Sequence, residues 1–339
     1  DGIQGALMLV LACAVLGMFL IGYKVDGGFS GMVMELNTLD PTGGLTSFLS
    51  LTNPIFNSTW DIFAIFFAHL PLGLLPHVGN KLWALKNDAD QKKFITIAFI
   101  FGMILPAITC GGILARAILG DALLLEGANP NHAIPELFIA TLPAWVAALI
   151  CSGVLAAVMS TADGLVVSTA QIFANDIFRR TIAPKYMQKT SDARIDKIGL
   201  YISRIATVLV LMVAIWIAWS TREMNVALLV WIGIGGMMAA TAAPMFLGVL
   251  WKGATRVGAL SGFVTGGVVF SVMHGVGFDA SWLGNGHLEI VGTFLEEQKI
   301  NPFACATIGG LCSIVTMYLV SQVTEKPSEE HIKRVFGES

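Results

Sequence analysis

Eight stretches of this 339-residue chain stay apolar for about twenty residues or more, and that repetition restricts the fold more than any other feature. A helix needs roughly 20 residues to cross a bilayer core of about 30 Å. The stretches fall at about 3–23, 58–77, 94–119, 138–178, 196–219, 225–250, 257–276 and 302–323. In lipid every backbone amide must be paired within its own segment, so each stretch is expected to be helical. The fourth is long enough to cross at an angle or to run on past the membrane surface. Between them lie polar or Gly- and Pro-rich segments such as Asp26–Asn57 and Asp279–Asn301, and no soluble domain fits anywhere. Only 13% of residues are charged and mean hydropathy is +0.74. Soluble chains carry about 25% charged residues, so an aqueous globular fold is excluded. A net charge of −3, with no basic face interleaved with aromatics, gives no sign of nucleic-acid binding.

Lysine and arginine placement sets an orientation. Fifteen of them lie in one alternate set of connections and the tail: Lys81, Lys86, Lys92 and Lys93, then six between Arg179 and Lys197, then Lys252, Arg256, Lys326, Lys333 and Arg334. The opposite set holds four: Lys24, Arg116, Arg222 and Lys299. The expected domain layout is therefore a transmembrane domain over 1–323 and a cytoplasmic tail over 324–339, in a multi-pass protein of the inner (plasma) membrane. Asp1 leads into an apolar run with neither an initiator Met nor a basic n-region, which reads as a cut inside a longer protein. The cysteines (Cys13, Cys110, Cys151, Cys305, Cys312) have no CxxC spacing and are expected as small core residues.

Two spans do not read as lipid-facing rods. The second runs Phe66-Phe67-Ala68-His69-Leu70-Pro71-Leu72-Gly73-Leu74-Leu75-Pro76-His77, and its prolines and glycine are expected to break the hydrogen-bond ladder. Freed carbonyls at membrane depth are tolerated where they line a cavity or are buried in protein. His69 is either a functional intramembrane histidine or a satisfied packing one. In the fourth span Ala157, Ser160 and Thr161 stand at i, i+3 and i+4 on one face. Two hydroxyls and the Ala157 carbonyl could supply three oxygens to Na⁺. The same spacing also suits close packing of small residues, with the hydroxyls bonded back along the helix. Asp163 in the same run needs a partner or water. The sixth span carries Gly233, Gly235 and Gly236, a pattern for close packing or for a hinge.

The stretches LAAVMSTADG and STAQIFANDIFRR resemble the signature helix of the sodium/solute symporter family. GLLPHVGNKLWALKNDADQKK resembles that family's broken-helix exit and the loop after it. LGVLWKGATRVGALSGFVTGG resembles a late Trp-basic segment, and Asp1-Gly2-Ile3-Gln4-Gly5 resembles the start of a core helix. The resemblance implies an all-α membrane protein with part of a five-plus-five inverted-repeat transporter fold, about eight transmembrane helices in all. The first span would be core helix five, the next five would be helices six to ten, and the last two would be peripheral.

Residue by residue, the resemblance assigns Ser160 and Thr161 as hydroxyl ligands of the main Na⁺ site and Ala157 as its carbonyl ligand. It places Asp1 near a second cation position. The remaining ligands would come from a first core helix outside these 339 residues. Solute is expected against Ala68, His69, Leu72 and Pro76, with the sixth span closing the other side around Trp231 to Gly236. Ala68 and Leu72 stand where proline-transporting members carry aromatics. The pattern instead leans toward pantothenate-type or other organic-anion carriers. The implied activity is Na⁺-coupled symport of a small organic solute, with Na⁺ as coupling ion, no cofactor and no enzymatic reaction. The alternative is a transporter-like sensory or scaffold module.

Overall fold

The computed structural model describes residues 2–40, 58–125, 129–284, 286 and 288–337. In chain order its α-helices are α1 (Gly2–Lys24), α2 (Gly28–Leu39), α3 (Thr59–His69), α4 (Pro76–Trp83), α5 (Asp88–Ile104), α6 (Gly111–Leu119), α7 (Ala133–Thr141) and α8 (Ala144–Gln171). There follow α9 (Ala183–Tyr186), α10 (Asp192–Ser220), α11 (Val226–Leu250), α12 (Arg256–Phe270), α13 (Glu289–Gln298), α14 (Pro302–Val323) and α15 (Glu329–Phe336). No strand occurs among the described residues. Of these residues, those within Asp1–Leu49 and Pro76–Glu223 form one compact unit, and those within Ser50–Leu75 and Met224–Ser339 form another.

Among the described residues, six helical segments are long and apolar enough to cross a membrane: Asp88–Leu119, Ala144–Tyr186, Asp192–Ser220, Val226–Leu250, Arg256–Gly277 and Pro302–Val323. A seventh is counted if the pair Leu9–Lys24 and Gly28–Leu39, bent by 77°, is one span. The expected eighth, 58–77, falls short because it is three pieces: α3, a 3₁₀ turn over Leu70–Leu74, and α4. The expected span 138–178 also needs correcting, since its first residues belong to α7. Leu142 is extended ahead of Pro143, as the pre-proline clash demands, and α8 starts afresh at Ala144. Both polar connections contain a helix of their own, α2 in the first and α13 in the second.

In the first unit α1 packs on α8. Leu11, Ala14, Val15, Met18 and Ile21 recur at helical spacing and close a core with Leu114 and Ala115 of α6, Leu137 and Phe138 of α7, and Ala147 and Ile150 of α8. The other side of α1 exposes Leu9, Leu16, Phe19 and Leu20, so the helix is apolar all round. The turn from α1 into α2 uses Gly27 and Gly28 at φ 78° and 60°, where a side chain would be strained. Of the residues in α10 only Ala206 is buried, while Ile205, Leu209, Met212, Ile215, Trp216 and Trp219 are exposed. An apolar surface this large fits lipid or further helices, not water.

The second unit is built on α11, α12 and α14, with α3 against α14. Gly258, Gly262 and Gly266 recur every fourth residue of α12 and face Ser321, Met317 and Ser313, which recur every fourth residue of α14 in the opposite direction. Small residues at this spacing let helix backbones approach where no hydrophobic driving force separates protein from lipid. Asn225, Thr255 and Asn301 cap the N-termini of the three helices through side-chain oxygens. Gly235 and Gly236 lie against Phe270, while Gly233 has open space beside it. The glycine cluster of the sixth span thus serves close packing at two of its three positions.

The five cysteines do not share the expected burial. Cys305 is buried, Cys151 and Cys312 are partly buried, and Cys13 and Cys110 are exposed. Residue size alone therefore did not decide their place.

Candidate functional site

The expected cation ligands lie in the middle of α8. Ser160 Oγ donates to the Ala157 carbonyl at 3.3 Å, and Thr161 Oγ1 donates to the same oxygen at 3.2 Å. Other helical hydroxyls bonded back along the chain are closer to their carbonyls: Thr141 at 2.6 Å, Ser152 and Thr169 at 2.8 Å, and Thr207 at 3.0 Å. The difference follows from one acceptor being shared by two donors. Neither hydroxyl reaches the ordinary O–H···O range of about 2.5–3.0 Å.

Three oxygens therefore stand together in weak mutual contact. On a hard cation with bonds of about 2.3–2.6 Å, oxygens at right angles sit roughly 3.3–3.7 Å apart. The observed 3.2 and 3.3 Å approach that spacing, so a small outward rotation of the hydroxyls would present all three. Ala157 packs on the rim of the α1–α8 core, Ser160 is half-buried and Thr161 is exposed. The triad thus opens outward from its unit, with room for ligands from another element. Asp163, two residues on, is exposed. Asp1 lies outside the described residues.

The expected solute contacts cluster at the end of α3. Ala68 is 3% exposed and packs with Ala239, Phe270 and Phe303 in the apolar core of the second unit. His69 is half-buried and ends the helix, because Pro71 has no amide to continue the ladder. Its Nδ1 lies 2.5 Å from the Ile65 carbonyl, which can only accept, so Nδ1 carries the proton. The ring sits 4.2 Å from Trp231 and stacks at 5.7 Å on Phe303, centroid to centroid, and those two rings are 4.6 Å apart. His69 is held in one orientation with Nε2 left for another partner. For Leu72 and Pro76 only the backbone is described: Leu72 is in the 3₁₀ turn and Pro76 starts α4. The division between the two compact units falls between Leu75 and Pro76, within the stretch expected to break.

Two features of this region were not singled out from sequence. Asp61, 2% exposed, accepts from Ser58 N at 3.0 Å, Ser58 Oγ at 2.7 Å and Asn301 Nδ2 at 2.8 Å. Asn301 Oδ1 meanwhile caps α14 through Phe303 N and Ala304 N, and Thr307 Oγ1 donates to the Ala64 carbonyl. Ser58 three residues before Asp61, and Asn301 before Pro302, are both readable helix-start signals. Phe303, against His69, carries no such signal.

The model of the Sodium:solute symporter family matches residues 1–266. The chain is 28% identical over 281 residues to the sodium/pantothenate symporter of Escherichia coli, covering 80% of this chain and 53% of that protein. It is 27% identical over 273 residues to the sodium/pantothenate symporter of Haemophilus influenzae, covering 78% and 51%. Against a sodium/proline symporter of Staphylococcus aureus it is 32% identical over 187 residues, covering 54% and 32%. The chain spans about half the length of the pantothenate relatives and a smaller share of the proline relative.

Proposed function

Because the chain belongs to the sodium:solute symporter family, we propose that it forms the sodium- and solute-contacting part of a carrier that couples Na⁺ entry to uptake of a small organic solute. The observation that carries this reading is the pair of stretched hydroxyl contacts to the Ala157 carbonyl. Na⁺ at Ala157, Ser160 and Thr161 replaces two poor hydrogen bonds with ion–oxygen contacts, so the protein loses little by opening the triad. The other ligands come from an element packed on that face. Na⁺ then favours whichever arrangement of the carrier brings the two elements together, and its effect is limited to its difference in affinity between states.

On the solute side, His69 is the polar group that the break leaves outward. With Nδ1 donating to Ile65, its Nε2 is placed to meet a polar group of the solute, and Trp231 and Phe303 fix the ring for that purpose. Pantothenate has hydroxyl and amide donors as well as a carboxylate, and two similar relatives are named for it. We therefore take pantothenate, or a related organic anion, as the preferred solute. The expected location is the bacterial plasma membrane, with the tail after Val323 on the cytoplasmic side.

The test is Thr161→Ala in a full-length carrier containing these helices. Labelled pantothenate uptake is measured in sodium and in choline medium. The variant should lose sodium stimulation while keeping its level in the membrane. Unchanged sodium dependence would overturn the cation assignment, and no sodium-stimulated uptake of labelled pantothenate by the parent carrier would overturn the solute assignment.

A further inference from the structure

A cleft of about 630 Å³, unrelated to the cation triad or to His69, opens where α12 begins and α14 ends. Its volume is that of about twenty waters. Thr255, Arg256 and Val257 of the first turn of α12 line it, together with Glu325, Lys326, Ser328 and His331 from the chain after α14. The floor is fixed. Thr255 Oγ1 bonds Ser321 Oγ at 3.3 Å and Thr324 Oγ1 at 2.7 Å, and Lys326 Nζ donates to the Ser321 carbonyl at 2.7 Å. Lys326 also lies 5.6 Å over the ring of Trp251, itself 5.1 Å from Tyr318. Trp and Tyr paired at the end of a span mark the headgroup level of a bilayer. The amphipathic α15 follows, with Lys252 over the ring of its Phe336 at 5.9 Å.

Two cations, Arg256 and the held Lys326, share the lining with one carboxylate, Glu325, and the opening turn of α12 adds the positive end of a helix dipole. His331 completes the lining, with Arg334 at 3.3 Å from its Nδ1. Basic pockets between transmembrane helices on the positively charged side of a membrane protein hold anionic lipid headgroups. By the fifteen-to-four distribution of lysine and arginine, this cleft is on that side. We propose that it binds the phosphodiester headgroup of an anionic phospholipid. Arg256 and the first turn of α12 contact the phosphate, and Trp251 and Tyr318 flank the glycerol and upper acyl chain. The lipid then joins the start of α12, the end of α14 and α15 at the membrane surface.

The test titrates short-chain phosphatidylglycerol, short-chain phosphatidylcholine and inorganic phosphate separately onto the detergent-solubilised full chain, read by native mass spectrometry. Phosphatidylglycerol should bind more tightly than phosphatidylcholine, and inorganic phosphate should not saturate. Each surface cation contributes about 1 kcal/mol, or roughly fivefold, so Arg256→Gln should weaken phosphatidylglycerol binding by about that factor. Glu325→Gln should strengthen it by a similar factor. Lys189→Gln, an exposed basic residue in the other unit, should leave it unchanged. Arg256 is exposed, so its replacement tests binding without emptying the core. Equal binding of the two lipids, an equal loss in Lys189→Gln, or saturation by phosphate alone would each overturn the proposal.

Discussion

The glycine stripe between α12, α11 and α14 makes the sharpest quantitative prediction. A Cβ at Gly267 would meet Ala240 Cβ at 3.7 Å, which is ordinary contact. A Cβ at Gly262 would lie 2.9 Å from both Met317 Cβ and the Ser313 carbonyl, so the helices must separate by about 0.5 Å to restore normal contact. At Gly266 the new atom would overlap the Ala239 carbonyl, backbone that no rotamer can move. Replacing glycine by alanine in a helix otherwise gains about 0.5–1 kcal/mol, while overpacking costs about 1–3 kcal/mol. Gly267→Ala should therefore stabilise by about 0.5–1 kcal/mol. Gly262→Ala should destabilise by about 0.5–2 kcal/mol, and Gly266→Ala by about 3 kcal/mol or more. Denaturation midpoints of the three variants in one detergent, followed by tryptophan fluorescence, give the order directly. Trp231 lies eight residues before Ala239 on α11, roughly 12 Å along the helix, so displacing α11 at Gly266 should also loosen the ring from His69. Equal midpoints for Gly266→Ala and Gly267→Ala would refute the packing argument.

Three further outcomes follow from the second unit. Asn301→Ala removes the α14 cap and a donor to buried Asp61, and should destabilise by about 2–4 kcal/mol in the same denaturation assay. His69→Ala should weaken solute uptake about tenfold or more, as for a buried hydrogen bond to solute, while the thermal shift produced by Na⁺ stays as in the parent. The Glu296 carboxyl lies below its ordinary value of 4.5, first because the Ala280 amide donates to it and then because of Lys299. A lowered carboxylate stabilises the fold above its unfolded value and loses that contribution as pH falls through the folded one. Protection of the helix Glu289–Gln298 from hydrogen exchange, corrected for intrinsic rate, should thus hold above about pH 5 and fall below 4.5. In Glu296→Gln that pH step should vanish.

Much of the architecture was legible because the membrane enforces it. An apolar run of twenty residues has few alternatives to a helix, so α10, α11, α12 and α14 fall close to where hydropathy puts them. Breaks were legible where proline makes them. Pro71, two residues on, ends α3 at His69, and Pro143 separates α7 from α8, although hydropathy alone ran straight across Leu142. Helices in polar connections were hidden, because α2 and α13 are short and α13 is held partly by a distant contact, Glu296 to the Ala280 amide. In the candidate site, the spacing of Ala157, Ser160 and Thr161 predicted a shared face. It could not predict that both hydroxyls would converge on one carbonyl and stretch, which depends on rotamers. Phe303 against His69 was beyond reach, since 234 residues separate them and only the packing of α3 on α14 joins them.

That same packing decides what the break at His69 can do. A broken helix is useful to a carrier only if one half is held while the other is free to turn. Here α3 is tied to α14 at its start by Asp61 and Asn301, and one turn later by Thr307 on the Ala64 carbonyl. The 3₁₀ turn over Leu70–Leu74 packs on α11, which carries Trp231. Those ties leave α3 little independent freedom, so it moves as one body with α11, α12 and α14. The chain after Leu75 belongs to the other unit. Pro71 and Pro76 lack amides and Gly73 lacks a side chain, so bending here breaks few backbone hydrogen bonds. His69 stands at the edge of that break, held by Ile65, Trp231 and Phe303. On the proposed function, a solute at its Nε2 would be held by the body containing α11, α12 and α14.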